Sequence, residues 1–340
     1  MEAAFPHSSE NQPELLALHF TEAGMIDKAV EYWWKSGLRA RNQFANIETI
    51  NHLTRGLELL RTLETTPERE ARELDLLGPL GTAYIAAHGY AAPEVSPVFV
   101  RARALCERVG DTTQQFAVMR GNFAYHVVRG EFRLCVKLAA EALEFGERLD
   151  DPGIIMEALF LSGLTMFYRG DFHGACKSFE RALADYDDRE RTAFWSTLTG
   201  EDSGVTTRCY LALAWWHLGR PDHALRIKHE ARELARTTGK PFNIEYALHH
   251  TGWLCQHARL GADGQTAGEE QIAIAVEQGF PLWQATGTLY TAAGLVLQGS
   301  VEAGLPSLHH GLEAYRATGA GLAVPYYLSL VADALLRGPA

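Results

Sequence analysis

Residues 158–182 read ALFLSGLTMFYRGDFHGACKSFERA, and this stretch decides the fold. Gly170 separates two apolar segments with helical spacing, and small residues follow it after five and twelve positions, at Ala175 and Ala182. A glycine at such a break ends one helix, and small side chains on the next helix let the two backbones approach to about 8–10 Å. The stretch therefore predicts a helical hairpin.

The same rhythm of a glycine and two small residues recurs at four other places in the 340-residue chain. These are Gly24/Ala29/Ser36, Gly130/Cys135/Ala142, Gly219/Ala224/Ala231 and Gly299/Gly304/Gly311. The interval from Gly130 to Gly170 is 40 residues and that from Gly170 to Gly219 is 49, longer than the ~34 of a standard tetratricopeptide repeat. One hairpin cannot bury its own apolar faces, so hairpins of this kind stack on their neighbours. We expect an all-α, right-handed α-solenoid of tetratricopeptide-like helical hairpins.

Apolar residues recur at positions i, i+3, i+4 and i+7 between short breaks of Gly, Pro or Asp, as amphipathic helices require. Asp111-Thr112-Thr113 and Asp150-Asp151-Pro152 have the acidic N-cap of helix starts. Residues 13–337 are predicted to form a single solenoid of about seven to eight hairpins, and residues 1–12 to be disordered or poorly ordered. Hairpins are expected near residues 13–41, 45–88, 93–129, 132–169, 172–218, 221–260, 265–298 and 301–337, with the pairing of neighbouring helices left open.

The tetratricopeptide pattern also predicts which residues face the inside of the array. In the register that fits the segment from Ala158, Gly163 takes the small position 8 and Phe179 takes position 24. Positions 2, 5, 9 and 12 of the first helices would line the concave face, where an apolar patch suits an amphipathic or extended peptide. A domain outside this chain could equally cover them. For the aromatic residues core packing is the default interpretation, and exposure on the concave face is the alternative. The candidate partner-binding residues are Glu157, Phe160, Leu164, Phe167, Thr206, Leu213 and Trp216, with Cys209 beside them.

Charge and composition bound the partners and the compartment. Lys and Arg number 31 against 42 Asp and Glu, for a formal net charge of −11. An acidic chain without a basic run does not favour nucleic acid or anionic membranes as partners. The first ten residues lack the features of a signal peptide, and no apolar stretch reaches the ~20 residues of a membrane span. With five cysteines lacking CxxC spacing, these features predict a cytoplasmic protein.

Catalytic motifs are not found. The sequence has no phosphate-binding loop and no dinucleotide fingerprint, and His229-Glu230 lacks the second histidine of a zinc protease. His249, His250 and His257 fall on one predicted helix. His250 and His257 are two turns apart, about 10 Å along the axis, which is too far for one metal ion. We expect surface or hydrogen-bonded core histidines, and neither a metal, a cofactor nor an enzymatic activity.

Residues 185–204 form the least regular part of the sequence. The segment lengthens one repeat interval and carries a cluster of charged residues around Asp187. It is predicted to be a solvated loop between hairpins. A functional alternative is a loop that folds over the concave face or binds a partner, since long loops in compact arrays often carry function.

Several blocks resemble one family of large bacterial signalling proteins, which join a class III nucleotide cyclase domain to an AAA-type ATPase. The similarity is to their tetratricopeptide-like C-terminal region and extends from about residue 13 to the end. Leu218–Ala224 resembles the family's Leu-Gly-Tyr-Pro-Asp-x-Ala turn, with Arg220 in place of the aromatic residue, and Gly200–Gly204 resembles a Gly-x-Asp-Pro-Gly block, with Ser203 in place of proline. The other matching blocks are Pro13–Gly24, Ala29–Gly37, Glu277–Trp283, Gly311–Gly319 and Pro325–Leu328.

This resemblance implies a sensor or interaction module, because the family's cyclase and ATPase motifs lie upstream of the region and are not found here. It transfers no catalytic residue to this chain. We therefore expect a non-catalytic scaffold that binds a protein or peptide partner, such as an ATPase or nucleotide cyclase module. The alternative function is a small-molecule sensor, which would need a partly polar pocket inside the superhelix.

Overall fold

The computed structural model describes residues 12–109, 112–184, 186 and 199–338, without the side chains of residues 112 and 113. Residues 1–11, Asp111 and most of the predicted loop 185–204 lie outside the described residues. Within the described ranges the regular structure is entirely helical. The helices are α1 (Pro13–Glu22), α2 (Ile26–Asn42), α3 (Asn46–Leu60), α4 (Pro67–His88), α5 (Val95–Val109), α6 (Thr112–Val128), α7 (Phe132–Leu149), α8 (Pro152–Tyr168), α9 (Phe172–Ala184), α10 (Ser203–His217), α11 (Pro221–Thr238), α12 (Pro241–His257), α13 (Gly261–Gln278), α14 (Pro281–Leu297), α15 (Val301–Ala317) and α16 (Val324–Arg337).

The predicted hairpins correspond to consecutive helix pairs in the described part of the chain. The hairpin expected at 132–169 is α7 with α8, and that expected at 301–337 is α15 with α16. The helix start predicted at Asp151 is confirmed. Its carboxylate accepts hydrogen bonds from the amides of Gly153 at 2.8 Å and Ile154 at 3.0 Å, with Pro152 in the first turn. The prediction of an all-α fold is confirmed.

Left-handed residues separate many of the helices. The glycines that open the five rhythms, Gly24, Gly130, Gly170, Gly219 and Gly299, all have φ between 70° and 93°. This conformation is open to glycine without a steric penalty and ends a helix. In the last third of the chain a residue with positive φ recurs every 20 residues, giving a 40-residue repeat of two helices. These residues are Gly219, Gly239, Arg259, Gly279, Gly299 and Gly319.

Small residues lie where neighbouring helices come closest. A Cβ atom on Gly163 of α8 would lie 2.5 Å from the ring of Phe179 on α9, so this contact requires glycine. These two residues hold the positions that the repeat register assigns to them. Later in the chain, a Cβ atom on Gly304 of α15 would lie 2.7 Å from the carbonyl oxygen of Ala292 on α14. The small residues of the rhythm therefore set the helix spacing, as predicted.

The chain divides into two compact units. Unit 1 comprises residues 1–87 and 93–122, and unit 2 comprises residues 88–92 and 123–340. In unit 1, Leu16, Ala17 and Trp33 belong to one buried cluster. In unit 2, Met156, Leu159 and Ala182 form another. The single solenoid over residues 13–337 stays a prediction.

Of the helices that the structure describes, none combines the length and the apolar character needed to cross a membrane.

Candidate functional site: rings and histidines on the inner helices of unit 2

Five helices form the inner layer of unit 2. Helices α8, α10, α12, α14 and α16 contact one another in succession, and α9, α11, α13 and α15 alternate with them along the chain. Tetratricopeptide-like arrays present their inner helices as a continuous binding surface. The side chains that these five helices bring together therefore define the candidate site.

Aromatic and histidine side chains from all five helices meet in one array, which we call the ring surface. The ring centroids of Phe167 on α8 and Trp253 on α12 are 6.3 Å apart, and those of Trp253 and Tyr326 on α16 are 5.5 Å apart. His249 lies 5.3 Å from Tyr290 on α14. The members of the ring surface are Phe167, Tyr168, Tyr210, His217, Tyr246, His249, His250, Trp253, His257, Trp283, Tyr290, Tyr326 and Tyr327.

Seven buried polar atoms of the ring surface have no hydrogen-bond partner among the described residues. They are Nδ1 of His249, Nε2 of His250, Nε1 of Trp253, Nε2 of His257 and the hydroxyls of Tyr290, Tyr326 and Tyr327. An unsatisfied buried donor or acceptor costs about 1–3 kcal/mol. Native structures satisfy such groups with water or a ligand. A cluster of seven such atoms on one surface therefore indicates a place where a ligand can form hydrogen bonds.

The buried histidines are neutral at pH 7. Burial lowers the pKa of His250 and of His257 to about 4. The pKa of His249 lies well below 6.5, first because the ring is buried and second because His250 is adjacent. Nδ1 of His250 lies 2.8 Å from the carbonyl oxygen of Tyr246, which can only accept, so Nδ1 donates and Nε2 presents a lone pair. The ring surface thus offers neutral donors and acceptors between aromatic rings.

The candidate residues from the repeat register are mostly buried. Glu157, Phe160, Leu164, Phe167, Thr206 and Leu213 are each at most 5% exposed, and Trp216 is half-buried. Phe167 belongs to the ring surface. Their contact with a partner stays a prediction.

Two of these residues pack against other side chains of unit 2. The Glu157 carboxylate accepts a hydrogen bond from the hydroxyl of Ser203, so it links α8 to the start of α10. The Phe160 ring lies 6.2 Å from Phe179 and 6.3 Å from Tyr210. These side chains therefore take part in the packing between helices.

The register reasoning missed most of the ring surface, although the sequence carries a signal for it. Tyr210, His250 and Tyr290 are spaced by 40 residues, and so are His217 and His257. This is the repeat length of the last third of the chain, so rings recur at equivalent places on successive inner helices. The expected hydrogen-bonded core histidine is found at His250.

In the described ranges, no group of three or more His, Cys, Asp or Glu side chains could hold a metal ion. The five cysteines are free and buried. Burial raises the pKa of Cys135 and of Cys176 to about 12, which keeps both as unreactive thiols at neutral pH.

No protein-family model matches the sequence, and a search of curated proteins finds no match. Solved structures do match. A Rap protein complexed with competence and sporulation factor aligns with a TM-score of 0.62 and 12% identity, over 90% of this chain and 85% of that chain. The Rap conjugation gene regulator of plasmid pLS20, in complex with the Phr* peptide, gives 0.60 and 13%, over 93% and 75%. The apo form of RapI gives 0.52 and 11%, over 80% and 98%.

Identities this low show the fold alone. The fold is that of tetratricopeptide-like helical solenoids, as the Rap proteins have, and the predicted fold class is confirmed.

Proposed function

We propose that this protein is a non-catalytic interaction module that binds a protein segment along the ring surface of unit 2. The observation that carries this proposal is the set of seven buried polar atoms of the ring surface, from His249 to Tyr327, that have no partner in the described part of the chain. A peptide supplies both amide donors and carbonyl acceptors, and its apolar side chains fit between aromatic rings. Neutral histidines suit such a ligand because they require no counter-charge.

The fold supports a peptide as the ligand. Of the matching solenoids, the regulator of plasmid pLS20 is in complex with the Phr* peptide, and another Rap protein is in complex with competence and sporulation factor. By our proposal this chain uses the same kind of array in a similar way. Phe167 and Trp216 would contact the partner, and Glu157, Phe160, Leu164, Thr206 and Leu213 would hold the inner helices in place.

The family resemblance suggests where the partner segment comes from. Blocks such as Leu218–Ala224 are similar to the C-terminal regions of bacterial cyclase–ATPase proteins, so we infer that the partner belongs to a signalling ATPase or nucleotide cyclase module. Incubation of the chain with ATP should yield no cyclic nucleotide. Turnover at a catalytic rate would contradict the scaffold assignment.

A peptide-display selection tests the proposed function. Random 12-residue peptides are selected on the immobilised full chain, and the affinities of the recovered peptides are then measured for variants. Trp253→Ala should weaken binding about tenfold or more, because truncating a central aromatic contact typically removes over 1 kcal/mol. Val276 on α13, which is 60% exposed, provides the matched control. Val276→Ala should leave the affinity unchanged.

Two outcomes would contradict the proposal. One is a selection that recovers no peptide binding to the folded chain. The other is a set of peptides whose affinities respond equally to Trp253→Ala and Val276→Ala. Circular dichroism of each variant shows whether the helices have formed before its affinity is compared.

A further inference from the structure

A short segment of the chain is built into unit 2 from far away in sequence. Residues 88–92 belong to unit 2, whose next residue along the chain is Phe123. Tyr90 is the large side chain of this segment, and it is 6% exposed. Its ring lies 6.1 Å from Phe242 and 6.5 Å from Trp283. The segment therefore packs between side chains of unit 2. We call the place that Tyr90 occupies the cleft, bounded by Glu201, Phe242 and Trp283.

Hydrogen bonding fixes the end of the Tyr90 side chain. The Tyr90 hydroxyl donates to the carboxylate of Glu201, which is itself buried. A hydrogen bond to a charged acceptor contributes more than one between neutral groups. Apolar walls around the ring and a carboxylate at its tip select a phenol over a plain phenyl ring.

The residues beside Tyr90 are small because the cleft is narrow. Ala91 and Ala92 are buried, and Gly89 has a φ of +98°. A Cβ atom on Gly319 would lie 2.8 Å from the carbonyl oxygen of Ala91, and one on Gly89 would lie 3.3 Å from Cβ of Thr318. Larger side chains at these positions would push the segment out. The cleft thus accepts a tyrosine with small neighbours.

The cleft is continuous with the ring surface. Trp283 forms one wall for Tyr90, and its ring also lies 5.8 Å from Tyr246 and 5.4 Å from His249. A ligand that occupied the position of Tyr90 would therefore adjoin the buried histidines.

We propose that the cleft bounded by Glu201, Phe242 and Trp283 is a tyrosine-recognising subsite, and that residues 89–92 are its resident ligand. A partner segment with a tyrosine between small residues competes with them for the cleft. The proposal rests on the proposed function only in taking a protein segment as the partner. The partner segment should therefore resemble the chain's own Gly89-Tyr90-Ala91-Ala92, with a tyrosine between small residues.

Binding of defined probes tests the subsite without any knowledge of the partner. Tyr90→Ala, made in the full chain, empties the phenol position. N-acetyl-tyrosinamide should bind this variant in calorimetry, and N-acetyl-phenylalaninamide should bind about tenfold more weakly because it cannot donate to Glu201. The wild-type chain should bind neither probe, since Tyr90 fills the position. Equal affinity for both probes, or no binding to the folded variant, would overturn the proposal.

A milder variant keeps the test decisive if Tyr90→Ala does not fold. Tyr90→Phe removes only the hydroxyl, so the resident segment holds less firmly. A synthetic peptide of residues 88–93, His-Gly-Tyr-Ala-Ala-Pro, should bind Tyr90→Phe about three- to tenfold more tightly than it binds wild type. The same peptide with alanine in place of tyrosine should bind neither. An unchanged affinity between the two chains would show that residues 89–92 are a fixed structural element.

The two proposals fail in different ways. If Trp253→Ala weakens the binding of the display peptides but the tyrosine probes do not bind, the proposed function is supported and the tyrosine subsite is wrong. If the probes bind Tyr90→Ala but no display peptide is recovered, the subsite is a cavity for the chain's own segment and the proposed function is wrong.

Discussion

Two regions of unit 2 that share helix α14 show opposite ways of packing. Between α13 and α14, glycines bring backbone against backbone: a Cβ atom on Gly268 would lie 2.6 Å from the amide nitrogen of Thr291 and 2.7 Å from the carbonyl oxygen of Gly287. We call this contact the glycine seam. On the ring surface, α14 instead extends Trp283 and Tyr290 towards α12 and α16. The seam leaves no room for a side chain, whereas the ring surface buries polar atoms without partners.

The comparison separates a region that stabilises the fold from the region where we propose binding. Close backbone packing gives the seam a single well-defined arrangement. The ring surface breaks the rule that buried polar groups are paired, and such local violations are expected at functional sites. Changes in the seam should therefore affect folding, and changes on the ring surface should affect ligand binding and pH response.

The largest effect is expected from Gly268→Ala in the seam. The new methyl group would meet backbone atoms of Thr291 and Gly287, so α13 and α14 must separate. Overpacking of this kind typically costs 1–3 kcal/mol, and we expect about 3 kcal/mol in the free energy of unfolding, measured with urea.

A second glycine of α13 provides the control for this substitution. At Gly264 a Cβ atom would meet nothing closer than 3.4 Å. Gly264→Ala should be neutral or stabilise by up to about 1 kcal/mol, because alanine favours the helix over glycine. Equal losses from the two substitutions would show that the seam is not the constraint.

The contrast also shows what the sequence can predict. The glycine rhythm is a local signal, so it predicted the left-handed turns at Gly24, Gly130, Gly170, Gly219 and Gly299, and the order of the helix pairs. The repeat register assigned a small residue to the position of Gly163, and Gly163 lies against Phe179.

The candidate site was only partly accessible to the same reasoning. Phe167 was predicted as a binding residue, whereas His250 was predicted only as a surface or core histidine and Tyr290 was missed. The standard 34-residue pattern does not contain the 40-residue period that relates these two positions. The contact of Tyr90 with Glu201 joins residues 111 positions apart. A local sequence pattern cannot predict a contact between residues so far apart in the sequence.

An intermediate effect is expected from acidification of the ring surface. The folded pKa of His250 and of His257 is about 4, against 6.5 for the unfolded chain, so the unfolded state binds more protons between these values. Stability should therefore fall as the pH drops from about 6.5 to about 4, by about 2 kcal/mol for the fully buried His250. Urea unfolding at a series of pH values measures this slope.

The buried Glu245 acts in the opposite direction. Burial raises its pKa from 4.5 to about 9, so its contribution lowers the stability as the pH rises from about 4.5 to about 9.

Two substitutions test whether His250 causes the loss of stability at low pH. His250→Gln should flatten the loss between pH 6.5 and 4, whereas the exposed His310 on α15, changed to Gln, should leave it intact. The same slope in both variants would contradict a buried neutral His250.

The smallest effect is expected from removing a single tyrosine hydroxyl, at either of two positions. The hydroxyls of Tyr210 and Tyr168 are 2.8 Å apart and hydrogen-bonded, whereas the buried hydroxyl of Tyr326 has no partner within the described residues. Tyr326→Phe should raise the free energy of unfolding by about 1 kcal/mol, and Tyr210→Phe should lower it by about the same amount. If Tyr326→Phe instead destabilises the chain, its hydroxyl is satisfied by water and is not kept for a ligand.

The even spacing of left-handed residues from Gly219 to Gly319 has an evolutionary consequence. Residues 220–259 and 260–299 begin and end at equivalent turns, so an in-frame duplication of one such block would join at a turn that the fold already contains. The copied block would carry its own row of rings, Tyr246, His250, Trp253 and His257. Recombination between repeats could thus lengthen the array and enlarge the proposed binding surface in a single genetic event.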